Sequence, residues 1–142
     1  MGLLDRIRAL GQQKKDLQQG KVKERAEDAL EAQFLRFQQQ AAQFLRNCRK
    51  GLEEKDRKAV QVWSEKFYQH YHEFTGKRDN YKDLGKEFYN RYADMINALG
   101  PIYEAVNEYV NGTKTDTARI IGMIDNNARI VVALRIERKK AA

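Results

Sequence analysis

The chain has 142 residues, enough for one domain with a substantial hydrophobic core, and it contains only one proline and one cysteine. Hydrophobic residues make up 42% and charged residues 33% of the sequence, which excludes a collagen-like or disordered chain and is typical of long helices. The net charge of +7 favours attraction to an anionic surface.

The positive charge is concentrated toward the two ends of the sequence. Basic residues outnumber acidic ones in residues 1–60 and again in residues 113–142, whereas the stretch 61–112 is slightly acidic. Lipid headgroups, nucleic acid and an acidic protein would all be attracted to basic ends of this kind. The charge alone does not choose among them.

The first twenty residues predict an amphipathic helix followed by a hinge. Leu3, Ile7 and Leu10 recur at helical spacing with charged residues around them. The Gln- and Lys-rich stretch that follows is bracketed by two glycines, which favours a hinge or a frayed helix. We therefore expect residues 1–20 to form a separate amphipathic segment and residues 21–142 to form a helical domain.

The strongest periodic signal follows this segment and predicts one long amphipathic helix over about residues 22–50. Its apolar stripe is out of phase with that of the opening segment, since steps of seven from Leu3 lead to Glu24 and not to Ala26. The opening segment is therefore not expected to pack as a simple extension of this helix. The stripe consists of Ala26, Leu30, Phe34, Phe37, Ala41, Phe44, Cys48 and Leu52.

Two further stripes predict the next helices, over about residues 54–74 and 81–99. We expect Gly100 and Pro101 to end the third helix. Pro101 suits the first position of a new helical segment, because its missing N–H is not needed there. The aromatic residues at core spacing in these stripes are Trp63, Phe67, Tyr71, Phe74, Tyr81, Phe88 and Tyr92.

A final helix is predicted to begin near residues 113–116 and to run to about Arg138. The run 130–134 also has β-strand propensity, but no second strand is evident to pair with it. The apolar residues cover an unusually wide part of this helix, which indicates burial on several sides, either in the bundle's centre or in an oligomer interface. Gly122 within it is expected to mark a close crossing with another helix.

Short connections between long helices favour antiparallel neighbours. The predicted fold class is therefore all-α, an antiparallel bundle of four or five helices with a separate N-terminal amphipathic helix. No apolar run reaches the length of a transmembrane helix, and the apolar block at the start is too short for a secretory signal. We expect a cytoplasmic protein.

The sequence contains no pattern that favours catalysis. Nucleotide-binding loops and nucleophile elbows are missing, and His70 and His72 are two residues apart, which places them on different sides of a helix. Cys48 lies on an apolar stripe, where a buried, inert thiol is expected. We therefore predict a protein that is not an enzyme and holds no cofactor or metal.

Association is the function that this pattern favours. We predict a helical interaction or scaffold protein that forms homo-oligomers and docks a protein partner or an anionic membrane surface through residues 1–15. In this interpretation leucine and isoleucine side chains anchor the partner, and two arginines provide the electrostatic complement. The predicted partner-binding residues are Leu3, Leu4, Arg6, Ile7, Arg8 and Leu10.

Sequence-nonspecific nucleic-acid binding is the alternative function. Basic clusters lie on the predicted long helix, on the helix after it and at the end of the chain, and such groups bind phosphates with little regard to sequence. Acidic residues interrupt the first cluster, and no helix-turn-helix or zinc-finger pattern is present. The candidate nucleic-acid-binding residues are Arg46, Arg49, Lys50, Arg57, Lys58, Arg135, Arg138, Lys139 and Lys140.

Overall fold

The computed structural model describes the backbone of residues 2–112 and 116–138, and the side chains of the same residues except 5–19. Helices account for most of these residues, and none of them forms a strand. The predicted all-helical fold class is therefore confirmed for this part of the chain. The helices are α1 (Leu3–Glu53), α2 (Arg57–Thr75), α3 (Arg78–Asp83), α4 (Lys86–Val110) and α5 (Thr117–Ala133).

The chain divides into two compact units with a boundary between Gln33 and Phe34. In the first unit, the side chains of residues 20–29 are exposed except for the half-buried Glu27. The buried apolar side chains of the described residues all belong to the second unit. The predicted division after residue 20 remains a prediction.

Aromatic side chains fill the interface between α2 and the second-unit part of α1. The rings of Phe37 and Phe74 stack with centroids 3.9 Å apart, and those of Phe44 and Phe67 stack at 4.4 Å. Residue numbers rise along α1 as they fall along α2, so the two helices are antiparallel. Close offset stacking of this kind contributes beyond the burial of apolar area.

Helices α2 and α4 are also antiparallel, and polar contacts hold their register. Tyr71 stacks on Tyr103 at 4.0 Å, and the hydroxyl of Ser64 donates a 2.7 Å hydrogen bond to the side-chain carbonyl of Asn107. Toward the other end, the hydroxyl of Tyr92 donates to the backbone carbonyl of Thr75 at 2.6 Å. These bonds satisfy polar groups that would be costly to bury unpaired.

The turn between α1 and α2 has the hydrogen bonds of a Schellman motif. The N–H of Asp56 donates to the carbonyl of Gly51, and the N–H of Lys55 donates to that of Leu52. Lys55 takes the left-handed conformation with φ 51°, where glycine is usual. The carboxylate of Asp56 then caps α2 by accepting from the N–H of Ala59.

Helix α5 ends five residues before the predicted end at Arg138, which corrects that prediction. Its last helical residue is Ala133, and Leu134 is extended with ψ 135°. The side-chain amide of Gln38 on α1 donates to the carbonyls of Val131 and Leu134, at 2.6 and 2.9 Å. These bonds satisfy carbonyls that lose their intrahelical partners when a helix ends.

Three other details differ from the sequence prediction. The helix predicted over residues 81–99 is interrupted at Leu84 and Gly85, so that α3 ends at Asp83 and α4 begins at Lys86, and Gly85 has a positive φ of 112°. Pro101 lies inside α4 and does not separate two helical segments, because Ile102, Tyr103 and Val106 beyond it continue the buried face. Gly122 marks no close crossing with the described residues, since a Cβ built at this position would meet none of them within 4 Å. A close approach occurs instead at Gly51, whose Cβ would lie 2.7 Å from the Cγ2 atom of Val60.

Candidate interaction surfaces

The first turn of α1 presents two apolar side chains to solvent. Leu3 is 75% exposed and Leu4 is 73% exposed. Exposed leucines are the features that a hydrophobic partner surface would cover. The other predicted partner-binding residues lie outside the described side chains; these are Arg6, Ile7, Arg8 and Leu10.

Five of the candidate nucleic-acid-binding residues are exposed and form no ion pair within the described part of the chain: Arg46, Lys50, Arg57, Lys58 and Arg135. Arg46 and Lys50 are one turn apart on α1 and so share a face. Lys58 lies beside Arg57 in the first turn of α2, where the helix dipole disfavours positive charge. Arg57 lies over the ring of Tyr109, with its Cζ 5.0 Å from the centroid.

Two of the candidate arginines are engaged in contacts within the chain. Arg49 forms a bidentate pair with Asp125 on α5, with N–O distances of 2.6 and 3.1 Å, and it also pairs with Glu53. This pairing lowers the pKa of the Asp125 carboxyl and raises that of the Arg49 guanidinium. Arg135 donates to the side-chain carbonyl of Gln38 at 3.0 Å and to nearby backbone carbonyls.

The remaining candidates lie after α5. Arg138 is half-buried and has a partner of its own, whereas Lys139 and Lys140 lie outside the described residues. The structure thus brings Arg46 and Lys50 together on one helix face. It does not join them to Arg135, whose donors are directed toward Gln38 and the end of α5.

The apolar residues of α5 are only partly buried. Ile120, Ile124 and Val131 are buried, but Ile130 is 47% exposed and Val132 is 46% exposed. Burial on several sides within one copy, one of the two expectations for this helix, is therefore wrong for the described residues. The exposed aliphatic side chains are the kind that oligomer interfaces cover.

A cavity of about 320 Å³ lies between α1 and α2 in the second unit. Phe44 and Phe67 are buried, whereas Trp63 is half-buried. The ammonium group of Lys66 lies 4.6 Å from the centroid of the Trp63 ring. The residues lining the cavity are Gln40, Gln43, Phe44, Trp63, Lys66, Phe67 and His70.

The other groups that sequence analysis singled out for chemistry are inert or dispersed. Burial raises the pKa of the Cys48 thiol to about 12, so it is not a thiolate at neutral pH. His70 and His72 are both exposed. No group of three or more metal-ligating side chains occurs in the part of the chain that the structure describes.

The cavity was not predicted from the sequence, because Trp63 lies at core spacing with Phe67 and Phe74. The available signal was the charge beside it, since Lys66 and His70 follow Trp63 by three and seven residues and thus share its helix face. The role of Gln38 left no local signal, because its partners are more than ninety residues away in the chain.

Comparisons with protein-family models, curated proteins and solved structures find no match for this chain. Among the described residues, no helix is both long enough and apolar enough to span a bilayer. The exposed surfaces of the described residues therefore provide the basis for a proposed function.

Proposed function

We propose that this chain is a non-enzymatic helical interaction protein that associates with itself and docks a partner through its N-terminal amphipathic helix. In this proposal the helices of the second unit form an antiparallel bundle, and the partner is a protein groove or an anionic surface. The observation that carries it is the exposure of Leu3 and Leu4, 75% and 73%, in the first turn of α1. These two adjacent side chains present apolar area to solvent, and association would remove that area from water.

Self-association draws support from α5 as well. Ile130 and Val132 are each nearly half exposed near the end of this helix, and aliphatic side chains pack well at interfaces between copies. Two separate apolar surfaces also allow one copy to contact both a second copy and a different partner. This arrangement suits a scaffold.

Light scattering on three forms tests the proposal: the full chain, a form that lacks residues 1–20, and the double variant Leu3→Ser/Leu4→Ser. We expect an oligomeric full chain whose mass at high salt equals that at low salt, because apolar contacts are not screened. Both altered forms should contain fewer chains per particle. Val62→Ser is the matched control, since Val62 is also an exposed apolar residue but lies on α2, and it should keep the mass of the full chain.

A monomer in all forms and at both salt concentrations would overturn self-association. Partner docking has its own test, sedimentation with vesicles of anionic lipid. We expect the full chain to sediment with the vesicles and Leu3→Ser/Leu4→Ser to remain in the supernatant. Equal sedimentation of both forms would show that the leucines do not dock on lipid.

Nucleic-acid binding is the second candidate function, favoured by the exposed Arg46, Lys50 and Lys58. Each phosphate contact contributes about 0.9 to the slope of log K against log salt concentration. We expect Lys50→Ala/Lys58→Ala to lower this slope for duplex DNA, whereas Lys82→Ala on α3 leaves it unchanged. A slope that none of these substitutions alters would exclude Lys50 and Lys58 from the binding surface.

A further inference from the structure

The cavity between α1 and α2 combines aromatic walls with an unneutralised positive charge. Among the described residues, Lys66 is the only Lys or Arg that lines it, and no Asp or Glu does. Within the described residues Lys66 makes no ion pair and contacts the face of Trp63. A cation held over an indole ring keeps ammonium hydrogens for an anion, because the π face satisfies the charge without accepting conventional hydrogen bonds.

The apolar side of the cavity suits a flat ring. Phe44 and Phe67 are 1% and 3% exposed, so they form fixed walls, whereas Trp63 is half-buried and presents part of its indole. Aromatic groups prefer offset or edge-to-face contacts with such rings. Closure of the cavity by a ligand would bury the exposed part of Trp63.

The polar groups at the edge can orient a ligand. The side-chain amides of Gln40 and Gln43 both donate and accept, and the imidazole of His70 adds another donor or acceptor. The volume of about 320 Å³ lies at the small end of the range for small-molecule sites. It fits one aromatic ring with a short acidic arm.

We propose that this cavity binds a small aromatic carboxylate, whose ring packs against the exposed part of Trp63 beside Lys66 and whose carboxylate pairs with the Lys66 ammonium. Gln40, Gln43 and His70 hydrogen-bond to the polar atoms of the ligand. The site is separate from the N-terminal leucines and does not depend on self-association. It adds a small-molecule ligand to an interaction protein.

Trp63 is the only tryptophan of the chain, so its fluorescence reports on this site alone. The probes are phenylpropionate and its neutral amide, phenylpropanamide, which have nearly the same shape. We expect a saturable change in Trp63 emission with the acid in the millimolar range. The amide should bind about tenfold more weakly, because it lacks the charge-assisted bond to Lys66.

Two variants locate the interaction. Lys66→Met should weaken phenylpropionate about tenfold and leave phenylpropanamide unchanged, because only the charged contact is lost. Lys58→Met, on the same helix but outside the cavity, should leave both affinities unchanged. Thermal unfolding of each variant verifies that it is folded.

Absence of a saturable change with phenylpropionate would overturn the proposal. Equal affinity for acid and amide, or an affinity for the acid that Lys66→Met does not alter, would overturn the assignment of Lys66 and of the anion. A loss of binding in Lys58→Met equal to that in Lys66→Met would show general attraction to positive charge and not a site.

Discussion

Cys48 occupies the inner stripe of α1 with no exposed surface. Burial raises the pKa of its thiol from 9.0 to about 12, because the thiolate would lose its hydration in the apolar surroundings. The folded state therefore holds this proton more tightly than the unfolded chain does. Stability with respect to this group is fully kept below about pH 9 and falls as the pH rises toward 12.

We predict that Ellman's reagent labels Cys48 only when the protein opens. Because Cys48 is the only cysteine, labelling of the native protein at mildly alkaline pH should be slower by orders of magnitude than labelling in denaturant. The measurement is the absorbance of the released thiolate over time. Rapid labelling of the native form would contradict the burial of this side chain.

Gly51 and Gly122 both lie inside helices, but alanine should have opposite effects at the two positions. At Gly51 a Cβ would meet Val60 at 2.7 Å, and overpacking of this kind costs about 1 to 3 kcal/mol. At Gly122 a Cβ would have nothing within 4 Å, so alanine should add about 0.5 to 1 kcal/mol through helix propensity.

Urea unfolding of Gly51→Ala and Gly122→Ala checks the pair. We expect the midpoint to fall for the first variant and to rise for the second, with similar m-values. A rise in both would mean that Val60 moves aside at little cost.

At the scale of the helix, the end of α5 is determined by a residue on another helix. Gln38 is only 6% exposed, and its amide donates to the carbonyls of Val131 and Leu134 while its carbonyl accepts from Arg135. This one side chain thus satisfies the carbonyls of Val131 and of the extended Leu134 at the end of α5. Ile136, two residues after Leu134, is 7% exposed.

We predict that Gln38→Leu lowers the free energy of unfolding by about 1 to 3 kcal/mol, because the carbonyl of Val131 is left unsatisfied in a buried place. Leucine keeps much of the volume of glutamine, so the loss should come from the missing hydrogen bonds. Gln39→Leu is the matched control, since Gln39 is exposed on the same helix, and it should have little effect. Equal losses in the two variants would contradict the role of Gln38.

The sequence predicts helix positions well and helix ends less well. Phe34, Phe37 and Phe44 recur at helical spacing and are buried as that spacing predicts. The apolar run at the end of α5 continues to Leu134 without a local stop signal. The helix ends where the side chain of Gln38 donates a hydrogen bond to the carbonyl of Leu134. Contacts across the fold outweigh local propensity in the same way at Pro101.

The candidate surfaces were predictable to different degrees. Leu3 and Leu4 stand out in the sequence because the apolar stripe of the opening segment is out of phase with the stripe of the long helix that follows. Arg49 and Arg135 looked equivalent to other basic residues, but partners on distant parts of the chain engage them. Charge alone does not show which cations are paired within the fold, since that depends on how the helices pack.

At the scale of the whole molecule, the aromatic core and the N-terminal leucines lie in different units. The chain divides between Gln33 and Phe34, and the stacked rings that join α1 to α2 all belong to the second unit. Changes at Leu3 and Leu4 should therefore affect the proposed partner docking and leave the stability of the core unchanged.

We predict that deletion of residues 1–20 changes the melting temperature by only a few degrees. The described side chains in that range are exposed apolar and small residues, and none of them contributes to the buried core. Differential scanning calorimetry of the full and shortened chains at one dilute concentration measures the difference. A large loss would show that the opening segment contributes to the stability of the core.

The left-handed conformation of Lys55 keeps α1 and α2 of one copy in contact. This residue and the Asp56 cap reverse the chain so that the two helices of one copy stack on each other. If both Lys55 and Asp56 adopted a right-handed helical conformation, α1 would run on into α2, and Phe37 and Phe44 could reach Phe74 and Phe67 only in a second copy. The result would be a domain-swapped dimer. The turn at Lys55 thus keeps the aromatic interface within a single chain.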